Sequence, residues 1–399
     1  MRTVSTDALE RRRGEVVGLT QELVRAPSPN PPGDERAAAE VVARYLDGVP
    51  GVSRRILASR PERPNLVFEL GAGSPALALA AHLDTHAVTG PWSRDPFGAE
   101  LVADRVWGLG TTDNKGAVAA MAVVFRAFAE AGAPAGQLLF IANADEETGG
   151  RYGIEHVLEE IEPLDAVVVA EPSGIETSWE KLYVAARGTS RFRVTTRGVE
   201  THSSLADHPG VDSGIERLEA ILAALRVGLP SLSERHPVYG IAPRLIPVRV
   251  EGGVGWGVVA PSASVELELR VTPGFSQDRI ERELRAAVAA ADREALLEFV
   301  EGSLRWMGPS EIDLAHPLVD ASRGAWHAVF GGSPELGCFP GGTDARLFTE
   351  SGMPALAGVG PGALFRAHHP DEYVTVSELD TAVLLYAAIV SRYQEGVKL

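Results

Sequence analysis

Short apolar runs that stop at a histidine or a carboxylate constrain this chain more than any other feature. Pro75 to Ala81 leads into His82 and Asp84, Phe140 to Ala144 into Glu146 and Glu147, and Val167 to Ala170 into Glu171. Apolar runs of this length without polar alternation fit strands covered on both faces. The runs Pro75 to Ala81, Gln137 to Ala142, Asp165 to Ala170 and Pro354 to Val359 alternate with helical patterns at Gly116 to Ala131, Arg151 to Ile161 and Val376 to Tyr393. That alternation predicts an α/β layer around a mostly parallel sheet, in which ligands gather at the carboxyl ends of the strands. Two further helical patterns come first: Asp7 to Val24, stopped by Pro27, Pro29, Pro31 and Pro32, and Asp34 to Leu46.

From about Arg187 to Val300 the pattern changes. It reads strand, helix, strand, strand, helix at Arg191 to Thr196, Val211 to Leu225, Arg244 to Glu251, Ala263 to Val271 and Ser276 to Ala291. This predicts a smaller α+β domain of ferredoxin-like type, residues 187–303, inserted into a discontinuous α/β domain of residues 1–186 and 304–399. Two domains suit the length, because 399 residues exceed one comfortable core and 45% of them are apolar.

The formal charge of -17 gives a field that repels nucleic acid and anionic membrane surfaces, while a local basic pocket remains free to hold an acidic ligand. No nucleic-acid or membrane partner is expected. Cys338 is the single cysteine, so no internal disulfide forms and nothing in cysteine usage points to secretion. The opening residues run into the charged stretch Glu10 to Arg13 without the apolar centre of a signal peptide. No window approaches the ~18 to 20 apolar residues of a membrane span. A cytoplasmic location is the expectation.

Each chemical motif has a plainer reading when it stands alone. His82 and Asp84, two residues apart on an extended segment, share a face, so the carboxylate is placed to orient the imidazole as a metal ligand. Such a pair more often marks a capped strand end. Asp113, in Gly110-Thr-Thr-Asp-Asn-Lys-Gly116 before a helix, reads by itself as an N-cap. Glu146 and Glu147, after a buried strand, and Glu171, before Pro172, are expensive to desolvate unless a positive charge meets them. Ala367-His-His-Pro-Asp-Glu372 adds two adjacent histidines in a proline-bounded loop. Together, five strand or loop ends offer histidine or carboxylate with few basic residues nearby, and bound divalent metal is the economical counter-charge. Imidazoles and carboxylates without a thiol suit zinc, or cobalt or manganese in its place. One carboxylate bridging two ions would make a two-metal hydrolytic site.

The ordered set His82-x-Asp84, Asp113 in Thr-Asp-Asn-Lys-Gly, Glu146-Glu147, Glu171-Pro-Ser and His368-x-Pro-Asp-Glu resembles the two-zinc family of acetylornithine deacetylase, succinyl-diaminopimelate desuccinylase, aminoacylase and carboxypeptidase G. The resemblance spans nearly the whole chain, including the inserted domain. It implies that His82 and Glu171 hold one zinc, that Glu147 and His368 hold the other, and that Asp113 bridges them. It makes Asp84 the residue that orients His82, and Glu146 the general base that takes a proton from the activated water and passes it to the departing nitrogen. It also implies a cis peptide after the bridging aspartate, at Asp113-Asn114. His368 rather than His369 fits the family spacing. His86, His156, His208, His236, His316 and His327 read as ordinary surface or core residues.

Gly198-Val-Glu-Thr-His-Ser-Ser204 resembles the family's dimerisation motif, which implies a homodimer through the inserted domain, with His202 stabilising the oxyanion in the partner subunit's site. Its plainer reading is a histidine in a surface turn. By the same resemblance Arg270 and the Gly342, Thr343 and Arg346 segment bind the substrate carboxylate, which an arginine fork suits. Where many relatives carry an asparagine before the last strand of the inserted domain, this chain reads Gly255-Trp-Gly-Val-Val-Ala-Pro261.

A glutamate at Glu171 is typical of the family's deacylases, whereas many of its dipeptidases and carboxypeptidases carry aspartate. The leading expectation is therefore a two-zinc amidohydrolase that removes an acyl group from a small, carboxylate-bearing N-acyl amino acid. A metallo-carboxypeptidase or dipeptidase acting on short peptides is the nearest rival. A catalytically silent amino-acid-binding protein, or a biosynthetic acyl-transfer enzyme on the same fold, is the alternative of another class.

Overall fold

In the computed structural model, which describes residues 6–132 and 135–396, the first apolar run forms strand Ala76–His82, buried at every position. It lies parallel to Gln137–Asn143 on one side and to Ala166–Val169 on the other, and Ala355–Leu356 extends the parallel set. Val52–Leu57 and Asn65–Gly71, a pair the sequence patterns did not single out, complete the six-stranded sheet in antiparallel sense.

Both faces of this sheet are covered, as parallel strands require. On one face Phe125 of helix Gly116–Ala131 meets Phe68 and Phe140 with ring centroids 6.2 Å apart in each pair. That helix is buried without a break from Gly116 to Phe125. Its small residues Ala117, Ala119, Ala120 and Ala122 let it lie close, and Gly132, at φ +98, ends it with the left-handed residue that glycine adopts freely. On the other face Ala78, Ala80, Leu139, Ile141 and Val167 pack with Ile154, Val157, Leu347 and Phe348. Each large side chain buried here contributes roughly 1.5–3 kcal/mol.

Two expected elements come out shorter. The pattern Arg151 to Ile161 yields only helix Ile154–Leu158, because the preceding residues fold around Asp145: Gly150 N–H donates to the Asp145 carbonyl at 2.6 Å and Tyr152 N–H to its Oδ2 at 2.9 Å. The run Pro354 to Val359 pairs as a strand only over Ala355–Leu356. Beyond it, Ala357 N–H donates to Tyr183 O and Val359 N–H to Val169 O, each at 3.0 Å, so the segment divides its bonds between two neighbours.

The chain divides into two compact units. Unit one holds this sheet, and unit two is Arg187–Pro309 with Pro340–Gly342. Unit two runs strand Gly188–Arg197, helix Gly214–Gly228, strands Arg244–Gly252 and Ser262–Val271, helix Gln277–Ala291 and strand Leu296–Phe299. Its antiparallel sheet places Gly188–Arg197 between Ser262–Val271 and Leu296–Phe299, with Arg244–Gly252 outermost, which is the ferredoxin-like arrangement. The alternation along Ser262–Val271 turns Val265, Leu267 and Leu269 toward Leu218, Ile221, Ile280 and Leu284 of the two helices. Among the described residues no helix is long and apolar enough to cross a membrane.

Candidate metal centre

The buried strand Ala76–His82 delivers His82 to the carboxyl edge of the sheet. Its Nδ1–H donates to the backbone carbonyl of Asp84 at 2.9 Å, nearer than the Asp84 carboxylate at 3.4 Å. A carbonyl only accepts, so Nδ1 carries the hydrogen and Nε2 is the ligand atom, 3.0 Å from Asp113 Oδ1. The Asp84 carboxylate is directed elsewhere. Oδ1 accepts the Glu146 N–H and Oδ2 the Glu147 N–H, each at 3.1 Å, and Oδ2 also accepts Asn30 Nδ2 at 2.8 Å.

Asp113 sits in the turn Thr111–Lys115, between Gly110 at φ +83 and the start of the buried helix. The Asp113-Asn114 bond is cis, as the family resemblance implies. The Glu372 carboxylate fastens the turn, accepting N–H from Thr112 at 2.7 Å, Asp113 at 3.1 Å and Gly110 at 3.1 Å. Asn114 Nδ2 donates to Ala170 O at 2.7 Å, which joins this turn to the strand end that bears Glu171. Gly116 has no tolerance for a side chain, since a Cβ there would lie 2.5 Å from Thr111 O.

His368 has its backbone at φ +58, a conformation uncommon for a residue with a side chain and one that concentrates at functional sites. Its Nε2 lies 3.0 Å from Glu147 Oε1 and 3.4 Å from Asp113 Oδ2. The two oxygens of Asp113 therefore face different imidazoles. Two donor triads result, His82 with Asp113 and Glu171, and Asp113 with Glu147 and His368, the ligand atoms of each lying within 4.8 Å of one another. Glu146 belongs to neither triad.

The electrostatics show what such a cluster lacks. Burial, then the neighbouring Asp113 and Glu146 carboxylates, pushes Glu171 well above the usual carboxylate range, and burial with Asp344, Glu147 and Asp113 does the same to Glu146 against the pull of His82. Burial opposes charge on the imidazoles too, yet hydrogen bonds to Asp113 and Asp84 raise His82, and those to Asp113 and Glu147 raise His368 to about 11. Asp113, despite its burial, is held low by the same two histidines. The acids thus favour positive charge at the centre. Nitrogen and oxygen donors in two triads sharing a carboxylate fit a pair of divalent cations.

Three basic residues on the surrounding segments each have a partner of their own. Lys115, fully buried, donates to Ala26 O at 2.8 Å, and Arg63 reaches Asp145 and Glu35. Arg346, 5% exposed, donates to the Gly149 carbonyl at 2.6 Å, on the turn after Glu147. Thr343 is buried, its Oγ1 accepting the Ala345 N–H at 3.2 Å. In unit two, Arg270 pairs with Glu268 at 2.9 Å, and Gly342 belongs to the short segment Pro340–Gly342. His202 is exposed there, and its Nδ1 accepts the Ser204 N–H at 3.2 Å and faces the Ser204 hydroxyl at 2.8 Å.

Other residues about the centre were not foreseen. His86 stacks on the His368 ring with centroids 4.4 Å apart, although its sequence context marked it as ordinary. Asp344 is buried, accepts Asn143 Nδ2 at 2.7 Å and is pushed by burial to about 6. Asp344 and Glu372 stand inside the Gly-Gly-Thr-Asp and His-His-Pro-Asp-Glu motifs, so their neighbours were the available signal. Asn30 and Arg63 offered none, because only the folded chain brings them here.

A model of peptidase family M20/M25/M40 matches residues 78–392. The chain is 29% identical to a succinyl-diaminopimelate desuccinylase of Phenylobacterium zucineum over 389 residues, covering 95% of this chain and 98% of the relative. Among solved structures, an M20 family metallo-carboxypeptidase from Sulfolobus solfataricus superposes with a TM-score of 0.76 at 18% identity, covering 96% of this chain and 99% of that one. A dinuclear metal-binding peptidase of Bacillus subtilis gives 0.67 at 16% identity, with 97% and 100% covered.

Proposed function

The chain belongs to peptidase family M20/M25/M40 and is a hydrolase acting on amide bonds, and from that premise we propose that it removes the acyl group of an N-acyl amino acid at a two-zinc centre. The observation that carries this reading is the Asp113 carboxylate, whose oxygens face His82 at 3.0 Å and His368 at 3.4 Å where two donor triads meet. Likeness to a desuccinylase along 95% of the chain supports acyl removal rather than peptide cleavage. His82 and Glu171 are assigned to one zinc, Glu147 and His368 to the other, and Asp113 to both, with cobalt or manganese able to substitute. The bound ions supply Lewis acidity for the scissile carbonyl and the attacking water.

Glu146 is assigned as the general base. It takes a proton from the water and returns it to the amide nitrogen as the C–N bond breaks. Its place outside both triads, with its N–H held on Asp84, supports that role. Asp84 orients His82, chiefly through its backbone carbonyl. His202 is assigned to the oxyanion in the partner subunit of a homodimer formed through residues 187–303, and the Ser204 N–H at its Nδ1 leaves the Nε2–H as donor. Arg270 and the Gly342, Thr343 and Arg346 segment are assigned to the substrate carboxylate. A cytoplasmic location fits a single cysteine that can form no internal disulfide.

The test is amine release from N-acetyl-ornithine, N-succinyl-diaminopimelate and plain dipeptides, after chelation and again after zinc is restored. Metal-dependent turnover of the N-acyl amino acids is expected, and a strong dipeptide preference would replace this reading with the carboxypeptidase or dipeptidase one. Glu146→Ala should lose about 10²- to 10⁴-fold in kcat with its zinc content unchanged. Turnover retained in that variant would refute the base assignment.

A further inference from the structure

The turn that presents Glu146 and Glu147 is fastened from behind by charges that the reaction does not consume. Asp145, immediately before Glu146, has its backbone at φ +68 and is 2% exposed. Its Oδ2 accepts the Tyr152 N–H at 2.9 Å, and its Oδ1 accepts Asn30 Nδ2 at 3.2 Å, the Thr148 hydroxyl and the Arg63 guanidinium. One carboxylate thereby ties together the start of the turn, its end at Thr148 and the segment beyond. The Asn30 amide continues the connection to Asp84, whose oxygens hold the Glu146 and Glu147 N–H groups.

Arg63 is the cation of this network. It is 3% exposed, with Nη2 on Asp145 and Nη1 3.2 Å from Oε1 of the fully buried Glu35. The space it fills is shaped for it. Gly33, at φ +79, lies so close that a Cβ there would fall 1.0 Å from Arg63 Nη1. A buried carboxylate deprived of its hydrogen-bonded cation is strongly disfavoured, so the conformation of Asp145, and with it that of the turn, depends on the guanidinium.

We propose that Arg63 is a positioning residue for amide cleavage: through Asp145 it holds the turn that directs Glu147 toward Asp113 and His368 while keeping Glu146 apart from both donor triads. This inference rests on the roles assigned above to Glu146 and Glu147. Arg63 acts at one remove, by fixing where those two carboxylates stand. Lysine keeps the charge but lacks the fork that spans Glu35 and Asp145 together.

The experiment is a double-mutant cycle on the zinc-loaded full chain with Arg63→Lys, Asp145→Asn and the pair. It reads kcat and KM for the best N-acyl substrate, zinc affinity by competition with a chromophoric chelator, and Tm. Each single variant should lose about 10- to 100-fold in kcat with KM little changed, and a comparable factor in zinc affinity. The double variant should lose no more than the worse single, because both act through one contact. A purely structural role would lower Tm and leave kcat, KM and zinc affinity together. A loss smaller than about tenfold in a folded Arg63→Lys chain, or losses that multiply in the double variant, overturns the proposal. If Arg63→Lys does not fold, Asp145→Asn carries the same expectation alone. Should the wild-type chain cleave no amide at all, the reading of the reaction fails separately, and equal zinc affinity across wild type and variants then overturns the positioning role.

Discussion

Asp84 shows how one carboxylate takes on work that a motif cannot reveal. A histidine and an aspartate two apart suggest that the carboxylate orients the ring, yet the ring leans on the Asp84 carbonyl and the carboxylate holds the Glu146-Glu147 turn. Glu35 is a second case, a glutamate without motif or pattern that ends fully buried. Burial, then the nearby Asp84 charge, raises its carboxyl from 4.5 to about 8, with Arg63 pulling the other way. Between those values the folded chain holds a proton that the unfolded chain has released, so this group's contribution to stability is lost as pH rises through the window. Glu35→Gln removes that slope. Its Tm relative to wild type, followed in zinc-loaded protein, should climb from about pH 5 to about pH 8, whereas parallel curves would show that Glu35 stays ionised.

At the scale of elements, strands and helices were more legible than turns. Buried strands and the all-apolar helix Gly116–Ala131 announce themselves by unbroken apolar runs, because both faces are covered. The turn Thr111–Lys115 is set instead by Glu372, some 260 residues away in the chain, which accepts three of its backbone N–H groups. Glu372→Gln would set an amide NH2 against one of those N–H donors. Leaving a buried donor unsatisfied costs about 1–3 kcal/mol, so the variant should melt earlier and lose zinc faster on dialysis. Full zinc retention with an unchanged Tm would mean that the turn holds Asp113 without Glu372.

For the whole molecule, acids gather about Asp113 within a chain of net charge -17, so the two-metal reading predicts that cations bound there would also stabilise the fold. A ligand held only by the folded state stabilises by about 2.7 kcal/mol at a hundred times its Kd. Chelation should therefore lower Tm as well as abolish turnover, and added zinc should restore both in a concentration-dependent way. A Tm indifferent to chelator would argue against tight metal in the resting protein. The α/β class, the inserted strand-helix alternation, and the histidines and carboxylates worth watching can be read along the linear chain, since periodicity and strand-end chemistry are local properties. It took the folded chain to set Asp113 against two imidazoles at once, to bring Arg346 onto the Gly149 carbonyl, and to stand Arg63, Glu35, Asn30 and Glu372 behind the centre. Those relations depend on distances between segments far apart in the chain, which local patterns do not encode.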